Sequence, residues 1–423
     1  MSLEEKPKSN PGSSGEPIRI EDNARRAQPF SIGHSEVMII DDENRYAPLQ
    51  LIGWWDQTKL SQSQILIVGA GALGNEVLKN LVLVGIGTIL LVDFDTVQGS
   101  NLSRSVLFRA KDAGQSKANV AARAARAMNP DCRIIAIDGD VLQDIGMGIV
   151  HDVDLVVSCV DNREARLWIN RMCWKVGTPW IDGGIQEING VAKVFVPPDG
   201  PCYECAMTEQ DYQLIQLRYS CPLLKQDDVQ QGKVPTAPTI ASIIGGLQAQ
   251  EALKLIHGLP TDSGAALVFN GVANRFYKSQ FPLREDCLSH ETYEPVVDLP
   301  LSATHSSVLD LKRAVQNAFS EPVESIELDR DLLLELRCQS CELNHSIRKP
   351  RSSVSAQTAM CAKCNQMMSP QSINVIADDE FDQETLRGIG IPDYDIVRVR
   401  TRSGPKFVLL AEDRNVFSGT ALT

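Results

Sequence analysis

The chain has 423 residues, of which 43% are hydrophobic and 22% are charged, so we expect a globular protein with about two domains. Its formal net charge of −13 argues against broad nucleic-acid binding, which needs clustered Lys and Arg to neutralise phosphates. No apolar run has membrane-spanning length, and the first residues lack the hydrophobic stretch of a signal peptide. We therefore expect a cytoplasmic protein that binds neither nucleic acid nor membranes.

The composition changes along the chain and predicts three segments. Residues 1–40 are rich in Ser, Pro, Gly and charge, which is typical of a disordered or loosely packed arm. Residues 41–298 form the predicted main domain, and an amphipathic pattern over residues 44–60 predicts a helix that leads into its first strand. The stretch "VVDLPLSATHSS" is interpreted as a linker to a small C-terminal domain over residues 299–423.

Strand and helix patterns alternate through the main domain. The predicted strands are 65–68, 88–93, 133–138, 154–158, 179–182 and 191–196, and the predicted helices are 72–84, 115–128, 163–176 and 238–257. Such alternation predicts an α/β fold with a doubly wound, mainly parallel sheet that is covered on both faces. The C-terminal segment predicts a helix over 308–319 and two strand pairs around a cysteine-rich stretch.

A G-x-G-x-x-G turn follows the first strand and predicts a Rossmann-like nucleotide site. Glycines at 69, 71 and 74 permit close approach of phosphate to the backbone, and the following helix N-terminus offers unpaired N–H groups. Asp93 ends the next strand, where an acid can bond ribose hydroxyls. These features fit ATP, S-adenosylmethionine, NAD(P) and FAD alike, so an oxidoreductase that uses NAD(P) or FAD is an alternative at this point.

The residues after Asp93 favour ATP among these nucleotides. A second acid, Asp95, is followed by Asn101 and Arg104, and Lys117 stands early on the next predicted helix. Converging Arg and Lys side chains suit a triphosphate, because its charge is larger and its leaving pyrophosphate must be stabilised.

The sequence here resembles the ubiquitin-activating-enzyme superfamily, the ThiF, MoeB and HesA adenylyltransferases. The resemblance extends from about residue 45 to residue 290, and it depends on eight motifs in order: "GAGALG", "DFD", "SNLSR", "DAGQSKA", "NP", "SCVDNREAR", "GPCYEC" and "GGLQAQEALKLI". Such enzymes use ATP to adenylate the C-terminal glycine carboxylate of a ubiquitin-like or sulfur-carrier protein and release pyrophosphate.

The resemblance implies a set of nucleotide-binding residues. The implied set is Gly69, Gly71, Gly74, Asp93, Asp95, Asn101, Arg104, Lys117, Asp161 and Asn162. Within it, Asp93 holds the ribose and Asp161 binds Mg²⁺. The phosphates are gripped by Asn101, Arg104 and Lys117, of which Arg104 and Lys117 also act in catalysis. For Arg166, in the same motif as Asp161, a salt bridge on the helix surface is the alternative to a functional role. The implied partners are a carrier protein that ends in Gly-Gly and a conjugating enzyme.

The chain departs from the family near its first motif. Family members often supply an arginine to a partner protomer through an "R-Y-x-R-Q" motif, whereas this chain reads "RYAPLQ" from Arg45 onward. The second arginine is absent, so a homodimer is left open. A non-catalytic scaffold that binds a ubiquitin-like partner is left open for the same reason.

Two sets of cysteines predict two structural zinc sites. The resemblance implies that Cys202 and Cys205 form one site with a second pair, which in the family generally contains two more cysteines. Here the second pair is Cys287 and His290. A site of three cysteines and one histidine suits tetrahedral zinc.

The second set is independent of the family. Cys338, Cys341, Cys361 and Cys364 form two C-x-x-C pairs separated by nineteen residues, the spacing of a zinc ribbon. We expect this small domain to recruit the carrier protein or the next enzyme in the pathway.

Cys221 stands alone in "RYSCPLLKQDD", between the first zinc pair and the "GGLQAQEALKLI" helix. Superfamily members that form a thioester carry their nucleophile in this interval, so Cys221 is the predicted thioester cysteine. A buried apolar role is the alternative, and it is the role we expect for Cys132, Cys159 and Cys173.

Overall fold

The computed structural model describes residues 43–220, 235–354 and 357–418. The predicted N-terminal arm, residues 1–40, lies outside these ranges. The described residues form two β-sheets, which follow each other in the chain. We call residues 43–295 the first unit and residues 296–418 the second unit.

The first unit alternates strands and helices before it ends in antiparallel strands. Its elements are α1 (Gln57–Gln62), β1 (Gln64–Val68), α2 (Ala72–Leu83), β2 (Thr88–Val92), α3 (Lys117–Met128), β3 (Arg133–Ile137), α4 (Met147–Asp152), β4 (Leu155–Ser158), α5 (Arg163–Val176), β5 (Trp180–Gln186), β6 (Asn189–Phe195), α6 (Glu209–Ser220), α7 (Pro238–His257), β7 (Ala265–Asn270) and β8 (Arg275–Gln280). The second unit contains β9 (Val296–Leu299), α8 (Val308–Phe319), β10 (Val323–Arg337), β11 (Asn344–Pro350), β12 (Ser369–Ile376), β13 (Ile396–Thr401) and β14 (Gly404–Leu410).

The first sheet has eight strands in the order β3-β2-β1-β4-β5-β6-β7-β8. Strands β1 to β5 pair in parallel, and β6, β7 and β8 extend the sheet in antiparallel fashion. The strand order reverses between β1 and β4, where a crevice at the carboxyl ends of the strands is the usual ligand site. The predicted α/β fold class is confirmed, while the sequence did not predict the β7–β8 hairpin.

Helix ends in the first unit follow local capping chemistry. The Asn162 side chain accepts the Ala165 N–H at the start of α5, and Gly177 ends that helix in the left-handed conformation. Helix α7 begins with Pro238 and ends before Gly258, which also has positive φ. Because these signals are written in the sequence, the predicted bounds of α5 and α7 agree with the structure.

The helix predicted over residues 44–60 is wrong in extent. Only α1 is an α-helix there, and Leu49–Leu51 form a short 3-10 turn. Asp56 accepts the N–H groups of Thr58 and Lys59, so it caps α1 and sets its first residue.

Both faces of the parallel part of the first sheet are buried, whereas β8 is exposed, and the second unit covers part of one face. Helices α2, α3 and α7 pack on one face. Helices α4 and α5 pack on the other. The same apolar cluster includes side chains from the second unit, namely Tyr394, Ile396, Phe407 and Leu409. The two units therefore share a hydrophobic core.

The second sheet has the order β11-β10-β13-β14-β9, and β12 pairs with β10. Strand β9 pairs in parallel with β14, with Val296 opposite Phe407 and Leu299 opposite Leu410. The interpretation of "VVDLPLSATHSS" as a linker is therefore wrong for its first four residues. They form an edge strand because β14 offers a free row of backbone groups to pair with.

None of the helices in the described ranges is both long enough and apolar enough to span a membrane.

Replacing Leu409 with Ala is expected to destabilise the whole chain. The side chain is fully buried in the shared core, so its loss leaves a cavity that costs about 2–5 kcal/mol. Urea unfolding followed by far-UV circular dichroism should show a lower midpoint. Val375→Ala is the matched control, because Val375 is 44% exposed. A midpoint for Leu409→Ala equal to that of the control would contradict the shared core.

Candidate functional site

The glycine turn after β1 is pressed against the end of β4. Gly69 has a φ of +97°, and an added Cβ there would lie 2.7 Å from the Cys159 carbonyl oxygen. A Cβ on Gly74 would lie 1.8 Å from the Gly69 carbonyl oxygen, so α2 also approaches the turn closely. A Cβ on Gly71 would meet nothing within 4 Å. The turn therefore has two packed glycines and one that faces open space.

Asp93 joins the end of β2 to this turn. One carboxylate oxygen accepts the Ala70 N–H at 2.6 Å, and the other accepts the Asp95 N–H at 2.8 Å. Burial raises the pKa of Asp93 above its usual value, although the nearby positive charge of Lys117 acts in the opposite direction. The carboxylate thus holds the turn in place at the position where the sequence predicts a ribose contact.

Asp95 and Lys117, which the sequence predicts for one site, are in contact. The Lys117 ammonium lies 2.6 Å from an Asp95 carboxylate oxygen, and the lysine side chain is only 12% exposed. The Lys117 N–H also donates to the Asp95 carbonyl, and the Ser116 side chain caps α3 at this point. One side-chain contact and one backbone contact with Asp95 therefore fix the positive charge of Lys117 beside the end of β2.

Asn75 attaches the segment after β2 to the glycine turn, and sequence reasoning missed it. Its amide nitrogen donates to the carbonyls of Ala70 and Gly71, and its amide oxygen accepts the Leu107 N–H at 2.8 Å. Asn75 is fully buried. The available signal was a polar residue at a buried position of an otherwise apolar helix.

The predicted phosphate ligands Asn101 and Arg104 lie in the segment that Asn75 anchors. Asn101 is buried, and its side-chain oxygen accepts the Gln98 N–H at 2.9 Å. Arg104 is half-buried. In the described ranges its guanidinium has no hydrogen-bond or ion-pair partner, so it is free to bind an anion.

Asp161 and Asn162 follow β4 at the same edge of the sheet. Asp161 is exposed. Asn162 accepts the Ala165 N–H at 2.8 Å through its side-chain oxygen, so it caps α5, and only its amide nitrogen can donate to a ligand. The carboxyl ends of β1, β2 and β4 thus place the glycine turn, Asp93 and Asp161 around one crevice.

Arg166 is partly buried, with its side chain 15% exposed, and it pairs with a fully buried acid rather than forming a surface salt bridge. Its Nε lies 2.9 Å from Asp182, and its Nη2 donates to the carbonyls of Val160 and Gly183. Lys193 contacts the other oxygen of Asp182 at 2.7 Å. Arg166 therefore fixes the backbone immediately before Asp161.

Asp182 is the second site residue that sequence reasoning missed. It is completely buried, which by itself would raise its pKa, but the cations of Arg166 and Lys193 hold that pKa below its usual value. A signal was available, because Asp182 and Lys193 face each other across the β5–β6 hairpin. An acid buried in a strand requires such a partner.

Arg45 makes a contact within its own chain. Its guanidinium donates to the Met128 carbonyl at 2.8 Å, at the C-terminal end of α3. A cation is favourable at a helix C-terminus, where carbonyl groups lack partners.

The first predicted metal cluster is assembled. The ligand atoms of Cys202, Cys205, Cys287 and His290 all lie within 4.8 Å of one another. The Cys202–Cys287 sulfur separation is 3.5 Å, and the Cys205 sulfur lies 3.4 Å from His290 Nε2. Sulfur atoms at about 2.3 Å from one tetrahedral centre would lie about 3.8 Å apart. The four ligands therefore fit a single zinc ion.

Neighbouring side chains hold this cluster in position. The His290 ring stacks on Trp174 with centroids 4.5 Å apart. Glu204, between the first two cysteines, forms an ion pair with Arg171 and accepts hydrogen bonds from Tyr212 and Ser289. Such surrounding contacts are what orient metal ligands.

The second cluster lies in the second unit. The sulfurs of Cys338, Cys341, Cys361 and Cys364 also lie within 4.8 Å of one another, and Cys338 and Cys364 are 3.5 Å apart. Leu333, Leu336, Ala359 and Met368 form a small apolar cluster around them. The donor set and the spacing fit zinc as well.

Four of the eleven cysteines do not belong to the metal clusters. Cys221 lies outside the described residues. Cys132, Cys159 and Cys173 are buried. Burial raises the pKa of Cys132 to about 11, and it raises the pKa of Cys159 and Cys173 well above the usual value.

Comparisons with known proteins agree on one family. The model of the ThiF family matches residues 43–289. The chain is 28% identical over 393 residues to "Adenylyltransferase and sulfurtransferase MOCS3" of Mus musculus, which covers 88% of this chain and 81% of that protein. It is 30% identical over 251 residues to "Sulfur carrier protein adenylyltransferase" of Thermus thermophilus, covering 56% of this chain and 86% of that protein.

A solved structure supports the fold. The crystal structure of E. coli MccB with ATP matches with a TM-score of 0.50 and 24% identity, covering 59% of this chain and 74% of that chain.

Asp182→Asn is expected to destabilise the protein at neutral pH. The variant removes a fully buried anion from two cations that are 15% and 16% exposed, and breaking a buried ion pair costs about 3–5 kcal/mol. Because folding lowers the pKa of Asp182, this stabilisation is present above the unfolded pKa of about 3.9 and is lost as pH falls below it.

Denaturant unfolding of wild type and Asp182→Asn between pH 7 and pH 3.5 measures this difference. The difference in free energy of unfolding between the two proteins should be constant from pH 7 to about pH 5 and should narrow only near pH 4. A gap that widened on acidification would contradict the ion-pair assignment. Asp199→Asn, a change at an exposed aspartate, is the matched control.

Proposed function

We propose a reaction for this protein on the basis of its family, because the chain belongs to the ThiF family. The chain is an ATP-dependent adenylyltransferase that activates the C-terminal carboxylate of a ubiquitin-like or sulfur-carrier protein and releases pyrophosphate. Relatives over most of its length are named as adenylyltransferases. The oxidoreductase and scaffold alternatives are therefore set aside.

One observation carries the proposed site: the groups for each part of a magnesium–ATP complex lie along one edge of the first sheet. The glycine turn, with Gly71 facing open space, receives the phosphates. Asp93 lies at the end of the neighbouring strand for the ribose. Arg104 and Lys117 supply positive charge, and the exposed carboxylate of Asp161 supplies an oxygen ligand for Mg²⁺, as hard cations prefer.

The chemistry requires positioning and positive charge rather than a base. The carrier's terminal carboxylate is ionised at neutral pH, since its pKa is about 3.5. Its oxygen bonds to the α-phosphorus while the bond from that phosphorus to the bridging oxygen breaks, and pyrophosphate leaves with the electron pair. Mg²⁺, when bound, neutralises part of the phosphate charge. Arg104 and Lys117 stabilise the charge on the leaving group.

The carrier is proposed to end in Gly-Gly. Its last residues must reach the α-phosphate in the crevice, and glycine permits the closest approach of backbone to a buried site. A conjugating enzyme as the next partner and a homodimer are further proposals. For the homodimer, the contact of Arg45 with its own α3 means that Arg45 would have to leave Met128 to act in a partner.

The two cysteine clusters are proposed to hold one structural zinc ion each. Each cluster supplies four ligands and leaves no position open for water, which is typical of structural rather than catalytic zinc. The first cluster ties the segment after β6 to residues 287–290. The second closes the loops at the end of β10.

We further propose that Cys221 accepts the activated carrier as a thioester. Its thiolate would attack the acyl carbon of the adenylate, and AMP would leave. Among the ten cysteines that the structure describes, seven belong to the metal clusters and three are buried with raised pKa values. A buried neutral thiol is a poor nucleophile, which leaves Cys221.

Purified protein is expected to contain two zinc ions per chain, one for each cluster. Cys287→Ser should lose one of them and Cys364→Ser the other, because a site with three ligands binds zinc far more weakly. Metal content measured by plasma mass spectrometry tests this, and Cys132→Ala is the control that should retain both. A wild-type protein that retains no zinc would contradict both sites.

Pyrophosphate exchange tests the proposed reaction. Wild-type protein with Mg²⁺, ATP and labelled pyrophosphate is expected to form labelled ATP only with an intact carrier that ends in Gly-Gly. Asp161→Ala should lower the exchange rate by about a hundredfold or more, since it removes the metal ligand. Asp199→Ala, at an exposed turn after β6, is the matched control.

The same assay separates the two steps. Cys221→Ser should leave the rate of pyrophosphate exchange unchanged. Wild type should show a thiol-sensitive carrier–enzyme adduct on a non-reducing gel. In Cys221→Ser this adduct should either become resistant to thiols or disappear. Exchange that is independent of the carrier's Gly-Gly end, or equal in wild type and Asp161→Ala, would contradict the proposed function.

A further inference from the structure

Residues 138–147, which comprise the loop after β3 and the first residue of α4, lie beside the proposed nucleotide site. The Asp93 N–H donates to the Ile137 carbonyl at 3.2 Å, so the last residue of β3 is bonded directly to the proposed ribose ligand. The loop continues from that bond and ends where α4 begins. A displacement of the loop would therefore pull on Asp93.

The second unit holds this loop through Arg330, which lies on β10. The Nε of Arg330 donates to the Leu142 carbonyl at 2.6 Å, and its Nη2 donates to the Ile145 carbonyl at 3.0 Å. The side chain is only 12% exposed. The two donations use the fixed fork of the guanidinium, which a lysine cannot reproduce.

Asp395 completes the connection. One of its carboxylate oxygens accepts the Met147 N–H at 2.6 Å, and the other lies 3.3 Å from Arg330. Two side chains of the second unit thus hold three backbone groups of the loop. Asp395 is buried and Arg330 is largely shielded from solvent, and hydrogen bonds of charged groups are strong there.

Arg330 also contacts the helix that follows Asp161. Its guanidinium lies over the Trp168 ring of α5, 4.7 Å from the centroid. Three carboxylates, those of Asp140, Asp144 and Glu164, lie near this contact. Burial raises the pKa of Asp140. The negative charges of Asp144 and Glu164 also raise that pKa, and the positive charge of Arg330 lowers it. Arg330 therefore lies between the loop after β3, whose preceding residue is bonded to Asp93, and the helix that begins two residues after Asp161.

We propose that Arg330 is a positioning residue through which the second unit sets the geometry of the ATP site. It touches no part of the nucleotide itself; it fixes the loop that follows Ile137, the residue bonded to Asp93, and it contacts α5, which begins two residues after Asp161. This inference depends on the proposed function, because the ligand whose affinity it controls is ATP. By linkage, ATP binding strengthens the contact between the two units by the same free energy.

Calorimetric titration of magnesium–ATP into Arg330→Met tests the proposal. The dissociation constant is expected to rise about tenfold, within the usual range of coupling between distant groups. In pyrophosphate exchange the KM for ATP should rise by a similar factor, while kcat at saturating ATP stays within about twofold of wild type. A purely structural role would not produce this split between KM and kcat.

Arg398→Met is the matched control. Arg398 belongs to the same sheet and is 20% exposed, and it forms ion pairs with Glu291 and Glu327 rather than contacts with the loop. Its ATP affinity should equal that of wild type. Equal weakening in both variants would overturn the proposal, because it would mean that any loss of ion pairs in the second unit has this effect.

The remaining outcomes are also decisive. A folded Arg330→Met protein with wild-type ATP affinity overturns the positioning role and leaves the proposed function intact. If Arg330→Met does not fold, Asp395→Asn takes its place. That variant keeps an acceptor for Met147 and loses only the charge, and unchanged affinity there would overturn the proposal. Wild-type protein that binds no ATP would instead contradict the proposed function.

Discussion

The close approach of the glycine turn to strand β4 determines where every other group of the site can lie. Gly74 lets α2 start against the turn, and Gly69 lets the turn rest on the Cys159 carbonyl. With α2 in that position, Asn75 reaches both the turn and Leu107, so the segment that carries Arg104 is fixed as well. A side chain at Gly69 would collide with the Cys159 carbonyl at the end of β4, and a side chain at Gly74 would push α2 away from the turn.

Buried charge is the second constraint, and it is used at both ends of the crevice. On one side, Asp182 is neutralised by Arg166 and Lys193; on the other, Asp395 is paired with Arg330. Such groups are costly to bury, and their stability depends on complete pairing. Their contribution is geometric: Arg166 hydrogen-bonds the Val160 carbonyl beside Asp161, and Arg330 hydrogen-bonds two carbonyls of the loop that follows β3. Rigid support of this kind is what precise positioning requires.

The sequence predicted the parts of the fold that depend on local signals. The bounds of α5, α7 and α8 follow from caps and apolar spacing, and the metal clusters follow from cysteine spacing. Arg330 was not predicted as a site residue because its backbone partners are distant in the chain. Arg330 contacts a loop about 185 residues away, and no periodic pattern records such a contact. Strand β9 was missed for a similar reason, since only β14, at the other end of its unit, makes those four residues a strand.

The pairing of β9 with β14 also bears on how such a protein could arise. The first and last strands of the second unit lie side by side, so its two ends are within a strand length of each other. Units with adjacent ends can be inserted into or appended to other proteins by recombination. Transplanted alone, however, this unit would carry Tyr394, Ile396, Phe407 and Leu409 as an uncovered apolar face. Its inheritance is therefore tied to a partner that covers that face, and the two units must diverge together.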